Sequence, residues 1–501
     1  MAANTVPELI NSLSTSGDKL SELEKLKTLL SSIPPSEVKH RVANVSIIPV
    51  FNCLQTDNNA ELEVCCNVLD KLLTPLSSEV LIENLREQFQ QWLQHGTQNA
   101  KLLCLSQLTR ISMESSGSLA QCQELLVSIA QQLQEENQDV ARAAHNILVN
   151  LGGTTNGLEA VYSGEVLDTL HDVMQKSDTV RYRVYQLIVE VSNLSDEAFQ
   201  SVAGCGLLLK LVNEIFVDDI LLQLNCLELL SDLAQSRQGL TFMDEMGVIT
   251  KLEEMMSTAD SAPMGVYLLP GVMKFFGGLA RFHPKEVLNS FQTFVGIMFS
   301  AISESDSGIK GLAIETVGFI GSTVEGKAAL SKQGNKMTDC ISNLGRILKD
   351  SPSDMRVRCL DALASLMRIE IADQTVELLQ VTEGWFSHLC ANPFDVIWSI
   401  AKQPFTDLQV AAFSVLQSLA LLPWGQQLMN NTAGFKEYLL DRSTVNTKEA
   451  KEAKFQVVKN LAESPTVAEI FGAPFYVQVK EFCNQGTFYV RAQAEVAFEE
   501  T

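Results

Sequence analysis

Histidine and cysteine are the residues of this 501-residue chain best suited to bind a metal or to act as a nucleophile. None of the six histidines lies four residues from another, and the eleven cysteines include no Cys-x-x-Cys pair. The adjacent Cys65 and Cys66 come closest to a metal or redox motif. The glycine-bearing segment 152–157 lacks the Gly-Lys-Ser/Thr ending of a phosphate-binding loop, and no Gly-x-Ser-x-Gly elbow occurs. The sequence therefore predicts a protein that is not an enzyme and uses no cofactor and no metal.

The amino terminus and the cysteines bear on the cellular compartment. The first twenty residues have no basic stretch followed by an apolar one, as a signal peptide would have. The longest apolar stretch, 410–424, is shorter than the about 20 residues of a bilayer span. We interpret the cysteines as reduced, small hydrophobic core residues. We expect a protein of the cytoplasm, and also of the nucleus, that does not enter a membrane.

The formal net charge of −23 is unevenly distributed along the chain. Residues 1–250 contain 15 Lys and Arg against 32 Asp and Glu, whereas residues 251–501 contain 22 against 28. A nucleic-acid-binding surface requires a basic stripe, so we expect no nucleic-acid partner. A basic protein surface fits the acidic half, although the acidity could equally serve solubility alone.

Internal repetition is the strongest signal in the sequence. Triplets of two polar residues and an apolar anchor recur about every 40 residues, at 58–60, 98–100, 138–140, 178–180 and 218–220. Further apolar residues stand four and about eight positions after each anchor, which places them on one face of a helix. Polar residues just before the anchors, such as Asp139, Asp178 and Asp219, are suited to cap that helix.

A second apolar segment precedes each of these helices, and two helices in about 40 residues is the unit of armadillo and HEAT repeats. Later second helices are predicted in the regions that follow Ser261, Asp306, Asp354, Asp407 and Thr447. The pattern predicts an all-α, armadillo/HEAT-like superhelical solenoid of about ten or eleven two- or three-helix repeats. We predict one domain over residues 1–485 and a flexible tail over 486–501.

Candidate partner-binding residues follow from charge and repeat position. Two basic pairs, Arg181 with Arg183 and Arg356 with Arg358, could contact acidic patches of a partner. Three acidic residues could contact a basic surface: Glu214, Asp218 and Asp219. Salt bridges between neighbouring repeats are the alternative use of these charges. Asn150 occupies the position of the groove asparagine of import receptors, but the tryptophans that alternate with it there are missing. An importin-like adaptor, or a general helical-repeat scaffold, therefore remains the alternative function.

Four segments carry a more specific resemblance: RYRVYQLIVEVSNLS (181–195), YLLPGVMKFFGGLA (267–280), ETVGFIGSTVEGK (315–327) and AKFQVVKNLAESPTVAEIFGAPFYVQVKEF (453–482). They resemble the family of 26S proteasome non-ATPase regulatory subunit 5, in one register from about residue 20 to 490. The resemblance implies a chaperone for assembly of the 19S regulatory particle, which holds ATPase subunits of the base and is absent from the finished 26S proteasome. A large non-ATPase base subunit is a further candidate partner. We expect the protein itself to be a monomer.

Overall fold

The computed structural model describes residues 5–42, 45–217, 219–259, 265–304 and 306–489. These residues form α-helices joined by short turns, with three short 3₁₀ helices and no strand among them. They form two compact units, Met1–Met246 and Gly247–Thr501. The single domain predicted over residues 1–485 stays a prediction. The first tail residues, 486–489, are described, whereas the remainder of the predicted tail lies outside the described residues.

Helices of the first unit are mostly 5–18 residues long. They are α1 (Val6–Ser12), α2 (Lys19–Ser31), α3 (Pro35–Val42), α4 (Ile48–Asn52), α5 (Asn59–Leu73), α6 (Ser78–His95), α7 (Gln98–Glu114), α8 (Ser116–Ala120), α9 (Gln123–Gln131), α10 (Gln138–Gly152), α11 (Thr155–Val161), α12 (Gly164–Val173), α13 (Asp178–Ser192), α14 (Asp196–Gly204), α15 (Leu207–Asn213), α16 (Ile220–Leu233) and α17 (Arg237–Glu245). The 3₁₀ helices Gln132–Gln134 and Glu214–Phe216 follow α9 and α15.

Helices of the second unit are likewise a mixture of short and long elements. They are α18 (Val248–Ser257), α19 (Gly265–Phe282), α20 (Pro284–Ser290), α21 (Gln292–Ala301), α22 (Ser307–Ile320), α23 (Val324–Ser331), α24 (Asn335–Asp350), α25 (Ser353–Met367), α26 (Val376–His388), α27 (Pro393–Ala401), α28 (Thr406–Ala420), α29 (Pro423–Asn431), α30 (Phe435–Leu440), α31 (Lys448–Glu463), α32 (Val467–Phe471) and α33 (Ala473–Gln485). A 3₁₀ helix, Ile371–Asp373, precedes α26.

Within each unit, one long helix of every repeat packs on the corresponding helix of the next. In the first unit this series runs α2, α5, α7, α10, α13 and α16, and in the second it runs α19, α22, α25, α28 and α31. Other helices of the repeats form parallel series, for example α6, α9 and α12, or α20, α23 and α26. A single repeat could not bury both of its apolar faces, so stacking completes the core. Among the described residues, the eleven helices of these two series, with the helices that flank them, confirm the predicted all-α fold of two- or three-helix repeats.

The predicted apolar stripe holds in the middle repeats and shifts at the first and fifth. Val140, Ala144 and Leu148 of α10 are all buried, as predicted. Ala60, by contrast, is exposed at the start of α5, and Ile220 is only half-buried at the start of α16. In α5 the core is formed by residues such as Leu62, Cys65 and Leu69, because this helix packs on α2, α3 and α7 from several directions.

Helix caps recur at the predicted period, but two of the three predicted cap residues lie one or two positions after the observed cap. The caps that bind first-turn amides are Asn58, Thr97, Asn137, Ser177 and Asp219. Only Asp219 was predicted as a cap; Asp139 and Asp178 lie in the first turn, where a carboxylate is still favoured by the helix dipole. Asp306 and Thr447 also cap their helices, and Ser261 lies outside the described residues.

Aromatic side chains contribute to the core of the second unit. Phe275 and Phe276 of α19 are fully buried, with ring centroids 5.3 Å apart. In the described ranges, no single helix is both long and apolar enough to cross a bilayer, although two sharply bent helix pairs reach that length and composition when joined.

Candidate protein-binding surface

Two of the predicted binding residues hold neighbouring repeats together. The Arg183 guanidinium donates to the backbone carbonyl oxygens of Leu133 and Glu135, at 2.8 and 2.7 Å, and so ties α13 to the end of the preceding repeat. The Asn150 side-chain amide donates to the Ser112 hydroxyl oxygen at 2.9 Å, across α10 and α7. Both side chains thus donate hydrogen bonds to oxygen atoms of the preceding repeat. Their proposed role in binding a partner stays a prediction.

Arg181 and Glu214 belong to one polar cluster at the start of α13. The Arg181 guanidinium lies 2.7 Å from Asp178 and 3.5 Å from Glu214. The Tyr185 hydroxyl donates to the Glu214 carboxylate at 2.8 Å, and this bond together with burial raises the pKa of Tyr185. Burial is the larger cause of that pKa rise. The cluster leaves Asp178 as its most accessible charge, with 91% of its side chain exposed.

Among the remaining predicted binding residues, some contact other parts of the chain. Asp219 accepts the Leu222 backbone amide at 3.1 Å as the cap of α16, and Asp218 lies outside the described residues. Arg358 of α25 forms an ion pair with Glu315 of α22 at 2.7 Å. Arg356 is half-buried. Arg358 and Arg181 thus take part in inter-repeat ion pairs, the alternative use of these charges, and Arg183 forms inter-repeat hydrogen bonds; a role of these residues in binding a partner stays a prediction.

Clefts between neighbouring long helices leave a face of the first unit open to a partner. One cleft of about 320 Å³ between α10 and α13 is lined by Arg142, His145 and Arg183, among other residues. Another cleft of about 380 Å³ lies between α13 and α16, and Glu190 and Asp232 are among its lining residues. The lining of the clefts therefore changes from basic to acidic across the stacked helices α10, α13 and α16.

The acidic cleft has an apolar floor and few internal counter-charges. Val189 and Leu229 are buried beneath it, and Leu194 at its edge is 47% exposed. The Glu190 carboxylate lies within hydrogen-bonding distance of His145 Nε2, at 2.7 Å. The pKa of Asp232 is raised, first because its carboxyl group is partly buried and second because Glu228 lies close to it. A cleft of this kind favours a cationic side chain with an aliphatic stem.

One exposed feature was not predicted from the sequence. Leu221, near the start of α16, is 74% exposed, and the preceding Phe216 and Val217 are 46% and 47% exposed. The usable signal was the run of apolar residues at 220–222, because adjacent positions on a helix cannot all face one core.

Reactive chemistry has little support in the described part of the chain. Burial raises the pKa of Cys66 to about 11 and that of Cys226 and Cys340 to about 12, which keeps these thiols protonated at neutral pH. No cluster of three or more His, Cys, Asp or Glu side chains suited to a metal ion occurs within the described residues. The described residues therefore offer surfaces for binding a partner.

Comparison with known proteins decides the family. The family described as "Proteasome non-ATPase 26S subunit" matches residues 2–501. The human protein named "26S proteasome non-ATPase regulatory subunit 5" is 36% identical over 484 residues, which cover 96% of each chain. The chain belongs to this family. The resemblance identified from four sequence segments is thereby confirmed.

More distant similarities complete the comparison. The Drosophila melanogaster protein of the same name is 25% identical over 444 residues, covering 87% of this chain and 85% of that one. Among solved structures, yeast importin-β aligns with a TM-score of 0.42 at 13% identity, over 91% of this chain and 62% of that chain. The fold assignment rests on the helix packing described above.

Proposed function

We propose that the protein is a non-enzymatic assembly chaperone that binds ATPase subunits of the 19S base and leaves before the 26S proteasome is complete. Full-length membership of the family named for a proteasome non-ATPase subunit carries this proposal. A large non-ATPase base subunit is a second proposed partner. We also propose that the protein is a monomer that acts in the cytoplasm and nucleus.

The stacked helices offer a physical basis for such a role. Side chains on successive long helices are held by contacts such as Asn150 to Ser112 and Arg358 to Glu315, so a partner meets a surface that is already ordered. Many modest contacts spread over several repeats can cover a large area of one subunit. Release then needs only a competitor for that area, by mass action, and no nucleotide site on the chaperone.

Affinity capture tests the proposal directly. The tagged full-length protein would be purified from cell lysate, and the recovered proteasome subunits would be quantified by mass spectrometry. We expect ATPase subunits of the base in clear excess over subunits of the 20S core. Equal recovery of ATPase and 20S subunits would identify a component of the finished particle instead. Recovery of nucleoporins and the small transport GTPase without ATPases would establish the importin-like alternative.

Two further measurements separate a chaperone from a stable subunit. In a density gradient, the protein should co-migrate with ATPases in fractions lighter than the complete 26S particle. Light scattering of the purified protein should give a mass near 55.1 kDa if it is a monomer. A mass twice as large would contradict the proposed monomer. It would not bear on the chaperone role, which the capture experiment tests.

A further inference from the structure

Helix α16 presents one exposed face along most of its length. Leu221, Asn225, Glu228 and Asp232 are exposed and are spaced four, three and four residues apart, which aligns them on one side of the helix. The opposite side contains buried residues such as Cys226. We call these four residues, with Phe216 and Val217 just before the helix, the α16 face.

The amino-terminal end of the α16 face is apolar. Phe216, Val217 and Leu221 fall within six residues of one another and are 46%, 47% and 74% exposed. Single exposed apolar side chains are common on protein surfaces, whereas several within one short segment beside acidic residues are a candidate contact site. The polar residue within this group is the exposed Asp219, which caps α16, whereas the preceding Glu214 is engaged by Arg181 and Tyr185.

The carboxyl-terminal end of the α16 face carries negative charge with little local compensation. Glu228 and Asp232 stand four residues apart, and no Lys or Arg forms an ion pair with either of them among the described residues. The polar bond to the Asp232 carboxylate comes from the neutral Gln235 amide, at 2.9 Å. Like charges at this spacing destabilise a helix, so a cation supplied from outside would relieve the repulsion.

We infer that the α16 face is a docking surface for a partner segment that carries an apolar side chain and, farther along, a Lys or Arg. Charge complementarity identifies the occupant, because residues 1–250 contain 15 basic against 32 acidic residues and the face ends in two uncompensated carboxylates. The apolar anchor meets Phe216 and Leu221. The cation lies against Glu228 and Asp232, and its aliphatic stem can pass over the apolar floor of the neighbouring cleft.

Helix geometry sets the spacing that the partner must satisfy. Positions 221 and 228 are separated by about 10 Å along the axis, and positions 221 and 232 by about 16 Å, at about 1.5 Å per residue. A partner helix therefore places its basic residue roughly seven to eleven positions from its apolar anchor. An extended segment would place it roughly three to five positions away. Assignment of this segment to a base ATPase rests on the proposed function; the chemistry of the face does not.

Matched variants test the α16 face in the capture experiment. Leu221→Asp should reduce ATPase recovery at least tenfold, and Glu228→Lys combined with Asp232→Lys should do the same. Controls carry the same changes elsewhere in the first unit: Met113→Asp, at a side chain that is 70% exposed on α7, and Glu83→Lys with Glu87→Lys, on exposed positions of α6. The controls should bind as the parent does. Thermal unfolding within a few degrees of the parent would show that each variant is folded.

Equal recovery by the α16 variants and their controls would overturn the docking surface while leaving the proposed function intact. A second measurement does not depend on ATPase capture. A photo-crosslinking amino acid would replace Asn225 and be activated in cells, and the attached peptide would then be sequenced. We expect a peptide with an apolar residue and a Lys or Arg at the stated spacing, lost with Leu221→Asp. Crosslinks to an acidic segment, or only within the chain itself, would refute the inference. An attached peptide of the expected chemistry from a protein outside the proteasome would support the surface and refute the proposed partner.

Discussion

Replacement of Lys327 by Met should reveal a buried ammonium group through the pH dependence of stability. Lys327 lies near the start of α23 and is only 1% exposed. Its Nζ donates to the carbonyl oxygens of Gly321 and Ser365, the latter at 3.0 Å, near the ends of α22 and α25. Burial lowers its pKa from the ordinary 10.5 to about 8. The dipoles of the two helix ends favour the cation, but desolvation outweighs them.

The expected magnitude follows from proton binding in the two states. The folded protein releases this proton near pH 8 and the unfolded chain near pH 10.5, so between these values the unfolded state binds more protons. The parent should therefore gain stability with rising pH relative to Lys327→Met. At about 1.4 kcal/mol per pH unit, the whole gain is about 3 kcal/mol. Other titrating groups are shared by both proteins and cancel in the difference.

Urea unfolding at pH 7, 8, 9 and 10 would measure this difference. Tryptophan fluorescence is a suitable probe, because Trp385, Trp398 and Trp424 lie in the same unit as Lys327. Lys332→Met, at an exposed position after α23, removes the same charge and serves as the control. A difference between parent and Lys327→Met that stays constant from pH 7 to pH 10 would refute the reasoning, because it would mean that the ammonium group is hydrated in the folded protein.

Other consequences of the structure can be measured independently. Leu148→Ala should lower the free energy of unfolding by roughly 2–5 kcal/mol in chemical denaturation, because this side chain is fully buried in α10, and an unchanged value would contradict that burial. Arg183→Ala should lower the free energy of unfolding by roughly 1–3 kcal/mol in the same denaturation experiment, because two carbonyl oxygens lose their donor, and an unchanged value would contradict these hydrogen bonds. Asp232→Asn should raise the melting temperature slightly at pH 7, because the raised pKa of this carboxyl means that its ionisation opposes folding; the advantage should vanish below pH 3.8, where both states are protonated. The affinity for ATPase subunits should fall as added salt shortens the electrostatic screening length from about 10 Å at 0.1 M to about 3 Å at 1 M. Binding that does not depend on salt would indicate that the acidic residues of the first unit serve solubility alone.

The repeat architecture was predictable because its signals are local. Helical periodicity and capping involve residues within four positions of each other, so the 40-residue recurrence could be recognised in the linear sequence. Caps were misplaced by one or two residues because Asn137 and Asp139, or Ser177 and Asp178, are all chemically able to cap, and only the backbone geometry selects one.

The candidate binding residues were harder to predict because their partners are distant in sequence. Arg183 contacts carbonyl groups 48 and 50 residues away, and Arg358 contacts Glu315, 43 residues away. These separations exceed one repeat, so the stacking of repeats decides whether a charge faces solvent or joins two helices. Charge and exposure inferred from a single helix therefore could not separate binding residues from stack contacts.

By itself, the sequence determined that this chain is helical, repetitive, acidic in its first half and related to proteasome non-ATPase subunits. Tertiary structure decided which side chains remain available. Packing of α16 on α13 leaves Leu221 and Asp232 outside, whereas packing of α22, α23 and α25 encloses Lys327. The physical reason is that the helical period fixes which residues share a face, but only the neighbouring helix determines whether that face is covered.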